Sequence, residues 1–480
     1  MVGITSYGAY IPWYRIKREI IYSAIGWMGG GRMPGEKAVA NYDEDNVTMA
    51  VAAGMDCLNG VNRESIDGLY FATTRAPYML RQNAGIIATA LDLRPNIRTA
   101  DFTNSTKSGA SALLSAFDAV KAGSLESVMV CASDHRLNKA ASTQEQIYGD
   151  GAAAILLGSE GVVASLEGSY SVSYDFMDRW RADKDEFEHS WEERWIREEG
   201  YTKFIPEAIS GLLKKYNLSI KDFAKVIYSC PLVREHTAIG KKLGADPSQI
   251  QDNMFATVGD AGTAYPLMML VAALEEAKPG DKIIVSSYGN GSDALFFEVT
   301  EKITQLGDRR GIKGNLVSKK DLNSYEKYLV FSNLLPVEVG LRGEEIAPAR
   351  ASFLWRDRKA ILALCGSRCK RCGTPQYPYQ RICVNPDCRA IDEMEDYRFS
   401  DKRGYLRTYT ADNLASSLSP PEMYGMLDFE GGGRYYFNIT DCEPDSLKVD
   451  MPVEMTFRRK WFEKSRGFYD YHWKATPIRE

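Results

Sequence analysis

Asp101-Phe-Thr-Asn-Ser-Thr106-Lys-Ser-Gly109 decides the fold, because this stretch runs straight into an amphipathic helix. Ala110, Leu113, Leu114, Phe117 and Val120 follow at helical spacing. A strand–turn–helix of this kind places the turn residue, Thr106, at a helix N-terminus. There the dipole and unpaired N–H groups stabilise developing negative charge. Working outward, two segments share one layout. The helix ending at Ala116–Gly123 leads to the apolar strand Val128–Ala132, and Ala273–Gly280 leads to Ile283–Ser287. Both strands are short, continuous apolar runs, as buried parallel strands are. A glycine-marked turn and a further apolar run follow each, at Gly149–Leu157 and at Gly289–Phe297. The internal similarity and the alternation of helix and strand indicate a duplicated α/β fold.

At 480 residues the chain is long for one domain, so two or three are expected. A formal net charge of −5 and a pI near 5.7 argue against a nucleic-acid footprint, which needs a basic face. No run approaches the roughly 18 apolar residues of a membrane span. The opening Met1-Val-Gly-Ile-Thr lacks the basic, apolar pattern of a signal peptide. A soluble, cytoplasmic protein without a membrane span is therefore expected.

Of the nine cysteines, Cys57, Cys131, Cys230, Cys365 and Cys442 are scattered through apolar stretches and four are clustered. Cys369-Lys-Arg-Cys372 and Cys383-Val-Asn-Pro-Asp-Cys388 stand ten residues apart. Two close pairs on tight turns supply four thiolates for tetrahedral Zn²⁺ with no open position, so the expected metal is structural. Short alternating strands follow at Tyr405–Thr410, Tyr435–Ile439, Val453–Phe457 and Tyr469–Trp473, with Gly431-Gly-Gly433 as a hairpin turn. They predict a small OB-like barrel. Its Tyr, Phe and Asp are interleaved without a basic stripe, so no nucleic-acid partner is expected. The charged segment Lys302–Tyr328 reads as a linker. Asp178–Lys203, dense in charge and carrying Trp180, Trp191 and Trp195, reads as a solvated helix over the core, with a wall of a substrate tunnel as the alternative.

Four further pieces, in order, carry a resemblance alongside the Thr106 loop. They are Gly3-Ile-Thr-Ser-Tyr-Gly-Ala-Tyr-Ile-Pro12, Ala40-Asn-Tyr-Asp-Glu-Asp-Asn-Val-Thr-Met-Ala50, Gly149-Asp-Gly-Ala-Ala-Ala154 and Ser287-Tyr-Gly-Asn-Gly-Ser-Asp293. Over about residues 1–300 the chain resembles the hydroxymethylglutaryl-CoA synthase family of the thiolase superfamily. The resemblance implies a duplicated, five-layer αβαβα thiolase-like fold with halves at 1–165 and 166–300. A linker at 301–345, a zinc ribbon at 346–395 and an OB-fold barrel at 396–480 are expected to follow. Ribbon and barrel resemble the acyl-CoA-associated module that accompanies thiolase-like enzymes as partner or fusion. The resemblance further implies a coenzyme A thioester substrate, a homodimer through the continuous sheet, and a second acyl-CoA-metabolising enzyme as a possible partner.

In the resembled family a glutamate, a cysteine and a histidine divide the work. Matched residue by residue, the glutamate motif falls on Thr74, the cysteine on Thr106 and the histidine on Ser229, and a later asparagine position falls near Asp260. All three members of the triad are replaced. A threonine hydroxyl is a poor nucleophile without an adjacent base, and no histidine sits in these loops. Lys107 is expected to point elsewhere. Cys230, beside Pro231, reads as packed, and His135 is the best placed of the four histidines. What remains is electrostatic: N–H groups at Thr106 and Gly289 form a candidate oxyanion site for a thioester enolate. Thiolase-fold aldolases, which lack the cysteine, add Tyr265, Tyr288 and Tyr78 as candidate tyrosines, with Asp260 as candidate base. The expected activity is an aldol-type acyl-CoA carbon–carbon lyase or aldolase. The alternatives are a Claisen-type thiolase or synthase and a non-catalytic scaffold subunit.

Overall fold

The computed structural model describes residues 1–339, 350–463 and 465–479. Nine strands form one sheet: β1 (Gly3–Tyr10), β2 (Gly68–Ala72), β3 (Arg98–Phe102), β4 (Val128–Asp134), β5 (Gly151–Gly158), β6 (Ala164–Ser173), β7 (Lys225–Tyr228), β8 (Lys282–Tyr288) and β9 (Gly291–Val299). Their order is β7-β8-β9-β6-β1-β5-β4-β2-β3. Two half-sheets meet where β1 pairs with β6 through Gly3–Ser165 and Ile4–Ala164.

Six helices dress the sheet: α1 (Asn46–Cys57), α2 (Asn83–Ala90), α3 (Ser108–Lys121), α4 (Thr202–Tyr216), α5 (Val233–Leu243) and α6 (Tyr265–Leu274). Helices α3 and α6 share one core with strands of both halves and so form the central layer. The apolar strands feed two layers at once. Val128, Val130 and Ala132 of β4 face that central core, while Met129 and Cys131 face α1 and α2. In the other half Ile283 and Val285 of β8 turn inward, and Ile284 packs with α4 and α5. Five layers, αβαβα, result, and strands buried on both faces need the unbroken apolar runs seen in the sequence. Helix α6 is apolar all round because both its sides are covered. The units α3–β4–β5 and α6–β8–β9 occupy equivalent places, each closing with an antiparallel strand pair.

Two expectations change. The segment read as a linker is folded: α7 (Gly311–Val317) and α8 (Tyr325–Phe331) occupy much of it. Ile312 enters the central core, and Tyr325, Tyr328 and Phe331 cluster with Tyr14 and Ile16. The aromatic residues there outweigh the charges around them. Residues 340–345 of the expected linker and 346–349 of the expected ribbon lie outside the described residues. The segment Asp178–Lys203 is helical only from Glu193 onward. Before that, Trp180 pairs with His189, and Arg75 Nη1 donates to the Glu186 carbonyl at 2.7 Å. The segment is thus an irregular cover held against the loop after β2.

Beyond the core, Cys365–Cys369 pairs with Pro375–Gln376 and Met394–Arg398 in a three-stranded ribbon. Five strands then close a barrel: β10 (Gly404–Asp412), β11 (Glu422–Phe429), β12 (Arg434–Ile439), β13 (Pro452–Glu463) and β14 (Phe468–Pro477). Strand β11 was not foreseen, because Gly425 and Asp428 interrupt its alternation. A Cβ at Gly425 would lie 2.2 Å from the Thr408 carbonyl oxygen, beside a register shift in β10. Among the described residues no helix is long and apolar enough to cross a membrane.

The barrel is seated on the segment Asn41–Asp45, part of a stretch that carries the family resemblance. Arg458 on β13 is buried between Glu44, Asp441 and Asp43, whose Oδ1 lies 3.6 Å from its Nε. Lys474 reaches Asp43 at 2.8 Å, and the Tyr471 hydroxyl donates to Asp45 at 2.8 Å. Asp45 also caps α1 through a reciprocal exchange with Thr48. Burial pushes the Glu44 carboxyl up to about 7 against the pull of Arg458. Removing Arg458 leaves carboxylates buried without their cation, so Arg458→Ala should cost about 3–5 kcal/mol in chemical unfolding at pH 8. Because Glu44 takes up its proton as pH falls through 7, the deficit should shrink in acid. Unfolding curves at pH 8 and pH 6 test both points, and a pH-independent deficit contradicts the assignment.

Candidate functional site

The chain leaves β3 at Phe102 and enters α3 at Ser108. Asn104 adopts a left-handed conformation (φ 73°) and turns the chain so that Thr106 stands at the helix start. The Thr106 hydroxyl donates to the Tyr288 carbonyl at 2.8 Å. The Tyr288 N–H donates to Ser229 Oγ at 2.7 Å. Loops from both halves of the duplication therefore meet on the backbone of Tyr288, at the end of β8. Gly289 follows, pressed against the Thr106 loop. A Cβ there would lie 2.5 Å from Ser105 Oγ, 2.7 Å from Thr106 Oγ1 and 2.8 Å from the Lys107 nitrogen. Its N–H, read from the sequence as an oxyanion donor, instead donates to the Gly291 carbonyl at 3.0 Å. The tight hairpin between β8 and β9 imposes that bond. The Thr106 N–H has no acceptor among the described residues. Lys107 turns inward to Asp293 at 3.2 Å.

The remaining candidates have other partners. Thr74 donates its hydroxyl to Asp134 at 3.0 Å. That fully buried carboxyl also accepts from Thr73 Oγ1 and the Thr263 N–H, and burial raises it above its ordinary range. Asp260, the expected base, lies 3.3 Å from Arg136 and 3.9 Å from Arg179. Arg136 also grips Glu188 with two bonds of 2.8 and 2.6 Å, and its guanidinium lies 3.4 Å over the Tyr148 ring. Against the opposing effect of burial, Arg136 holds the Glu188 carboxyl down to about 2. Asp260 thus sits inside an ion-pair network.

Tyr265 is fully buried and donates to the Asn253 carbonyl. Tyr288 donates to Asp178 at 2.7 Å, so its side chain leaves the site while its backbone stays. Tyr78 accepts from the Tyr469 N–H at 2.8 Å and belongs to the barrel contact. Cys230 is buried with its thiol pushed up by desolvation, and His135 pairs with Asp150 at 3.0 Å. Asp178, Arg136 and Glu188 were not foreseen. The dense charge of the cover segment was the available signal for Asp178 and Glu188.

At the ribbon, the sulfurs of Cys369, Cys372, Cys383 and Cys388 all lie within 4.8 Å of one another. Cys369 and Cys388 are 3.8 Å apart, and Cys372 and Cys383 are 3.4 Å apart. A tetrahedral S₄ site with bonds of about 2.3 Å has edges of about 3.8 Å, so the donor set fits zinc.

These loops, on a duplicated five-layer scaffold, define a protein of the thiolase superfamily. The chain is 31% identical over 339 residues to a hydroxymethylglutaryl-CoA synthase of Methanopyrus kandleri, covering 68% of this chain and 96% of that relative. It is 33% identical over 314 residues to that of Pyrobaculum aerophilum, covering 63% and 89%. The chain belongs to the hydroxymethylglutaryl-CoA synthase family. Among solved structures, a hydroxymethylglutaryl-CoA synthase complexed with CoA superposes with a TM-score of 0.60 at 22% identity, over 68% of this chain and 89% of that one. The 3-oxoacyl-[acyl-carrier-protein] synthase III of Aquifex aeolicus matches at 0.56 and 18% identity, over 62% and 100%. Residues 397–458 match the family model described as the ChsH2 C-terminal OB-fold domain.

Gly289→Ala forces a methyl group into the Thr106 loop, where one of the neighbours is backbone. Strain of about 1–3 kcal/mol is expected. It should appear as a lowered melting temperature, whereas an unchanged value counts against the close approach.

Proposed function

We propose that the chain binds a coenzyme A thioester at the Thr106 loop and makes or breaks a carbon–carbon bond beside it by an aldol-type route, without an acyl-enzyme. The observation that carries this reading is the Thr106 hydroxyl donating to the Tyr288 carbonyl, with no hydrogen bond to a base among the described residues. The N–H of Thr106 at the start of α3 is placed to stabilise an enolate oxygen. Ser229 accepts from the Tyr288 N–H and keeps its own proton to offer to substrate. Asp260, Tyr265 and Tyr288 support the site through their bonds to Arg136, Asn253 and Asp178 rather than by exchanging protons. A Claisen-type condensation needs a nucleophile that Thr106 does not supply.

The same engagement of Asp260 and the tyrosines favours a second reading, a non-catalytic subunit that presents its thioester to another acyl-CoA enzyme. The outer edge of β3, unpaired among the described residues, supports pairing with a second copy of the chain.

Thr106→Ala should retain activity within about 10–100-fold of the parent chain, the contribution of a positioning hydroxyl. Complete loss of turnover, with acyl-CoA binding intact, contradicts the non-covalent route. Absence of turnover in the unaltered chain, restored by a partner enzyme, selects the second reading.

We propose further that the four ribbon cysteines hold one structural Zn²⁺, which crosslinks two turns and takes no part in the reaction. Elemental analysis should return one zinc per chain. Cys372→Ser should unfold the ribbon before the α/β core, because so small a unit has little core of its own. Freshly purified protein without zinc contradicts the assignment.

A further inference from the structure

A cavity of about 700 Å³ opens where the barrel meets the core, and none of Thr106, Ser229, Tyr288 or Gly289 lines it. Its walls come from the end of α1, the segment Ser400–Arg403 entering the barrel, and the end of β14. Seven cationic side chains and four carboxylates line it. The carboxylates already have partners. Glu454 pairs with Arg310 at 2.8 Å, and Asp401 pairs with Arg398 at 2.7 Å. Asp441 is held by Arg458 and Arg479. Asp56 accepts from the backbone N–H groups of Ala9, Arg310 and Gly311.

Three of the cations lack a close carboxylate of their own. Arg63 is 8% exposed; it donates to the Leu91 carbonyl at 2.6 Å, and its carboxylate partner, Asp401, is 4.0 Å away. Burial and the neighbouring Arg398 lower its guanidinium to about 10. Lys402 shares Asp401 at 3.4 Å, and Arg403 has no carboxylate partner among the described residues.

A second observation is independent of charge. Ser400 and Thr476 are 3% and 4% exposed, and both line the cavity. Neither hydroxyl has a hydrogen-bond partner among the described residues. Buried hydroxyls are rarely left unpaired, since the arrangement costs stability. Guanidinium groups beside free hydroxyls form the donor set that recognises phosphate oxygens. The volume lies in the range of small-molecule sites.

We propose that this cleft binds a phosphate-bearing small molecule of nucleotide size, held by Arg63, Lys402 and Arg403 with Ser400 and Thr476. The phosphate can come from a free nucleotide or from the nucleotide end of a CoA ester. Calorimetric titration of the full chain with ADP should show one site, and adenosine should not bind. Lys402→Glu/Arg403→Glu should weaken ADP at least about tenfold. Competition between CoA and ADP assigns the cleft to the nucleotide end of CoA, and independent binding of the two assigns it to free nucleotide.

Thr476→Val keeps shape and removes one unpaired hydroxyl. It should lower ADP affinity several-fold and raise the melting temperature of the ligand-free protein. Failure of ADP to bind, or equal ADP affinity in the parent chain and in whichever of these variants folds, overturns the proposal.

Discussion

Arg458 is almost wholly removed from solvent, and three carboxylates compensate its charge. One of those acids, Asp441, belongs to the barrel, while Asp43 and Glu44 belong to the α/β core. A guanidinium in such a place is intolerable without its partners, and the partners are intolerable without it. The network therefore couples the position of the barrel to that of the core. Asp43 and Asp45 receive further bonds from Lys474 and Tyr471 on the barrel. Asp45 passes the constraint on to α1, whose first turn it caps. The cleft between barrel and core owes its shape to the same contact.

A second constraint operates at the end of β8. The backbone of Tyr288 receives Thr106 on its carbonyl and offers its N–H to Ser229. Gly289 admits the Thr106 loop to within van der Waals contact. A hydroxyl held as a donor to a peptide carbonyl serves to position, and with no base nearby it has little nucleophilic character. The α3 terminus keeps its field whatever residue stands there, because that field comes from the backbone. In the function we propose, the electrostatic part of the site acts without covalent chemistry. The network of Arg136, Arg179, Asp260 and Glu188 stiffens the cover over it.

The sequence made the scaffold legible because its physics is local and periodic. Continuous apolar runs such as Val128–Ala132 are what strands buried on both faces require. The four-cysteine spacing needed no tertiary information. The barrel was readable except for Glu422–Phe429, where Gly425 serves a backbone approach instead of the period-two pattern. The site was legible only to the level of which loops meet. That Thr106, Ser229 and Gly289 converge followed from the family pattern. That Asp260 pairs with Arg136, Tyr288 with Asp178 and Tyr265 with Asn253 depends on residues far apart in the chain, which spacing does not reveal. The aromatic residues of 302–328 were outweighed in the reading by their charged neighbours, and so α7 and α8 passed for a linker.

We propose that thioester chemistry on this scaffold proceeds without a bond between acyl group and protein. Rapid quenching of the chain during reaction with acyl-CoA, followed by intact mass measurement, tests it most directly. The unmodified mass is expected at every time point. An acyl increment on Thr106 or on any cysteine, forming and decaying at the rate of turnover, contradicts it.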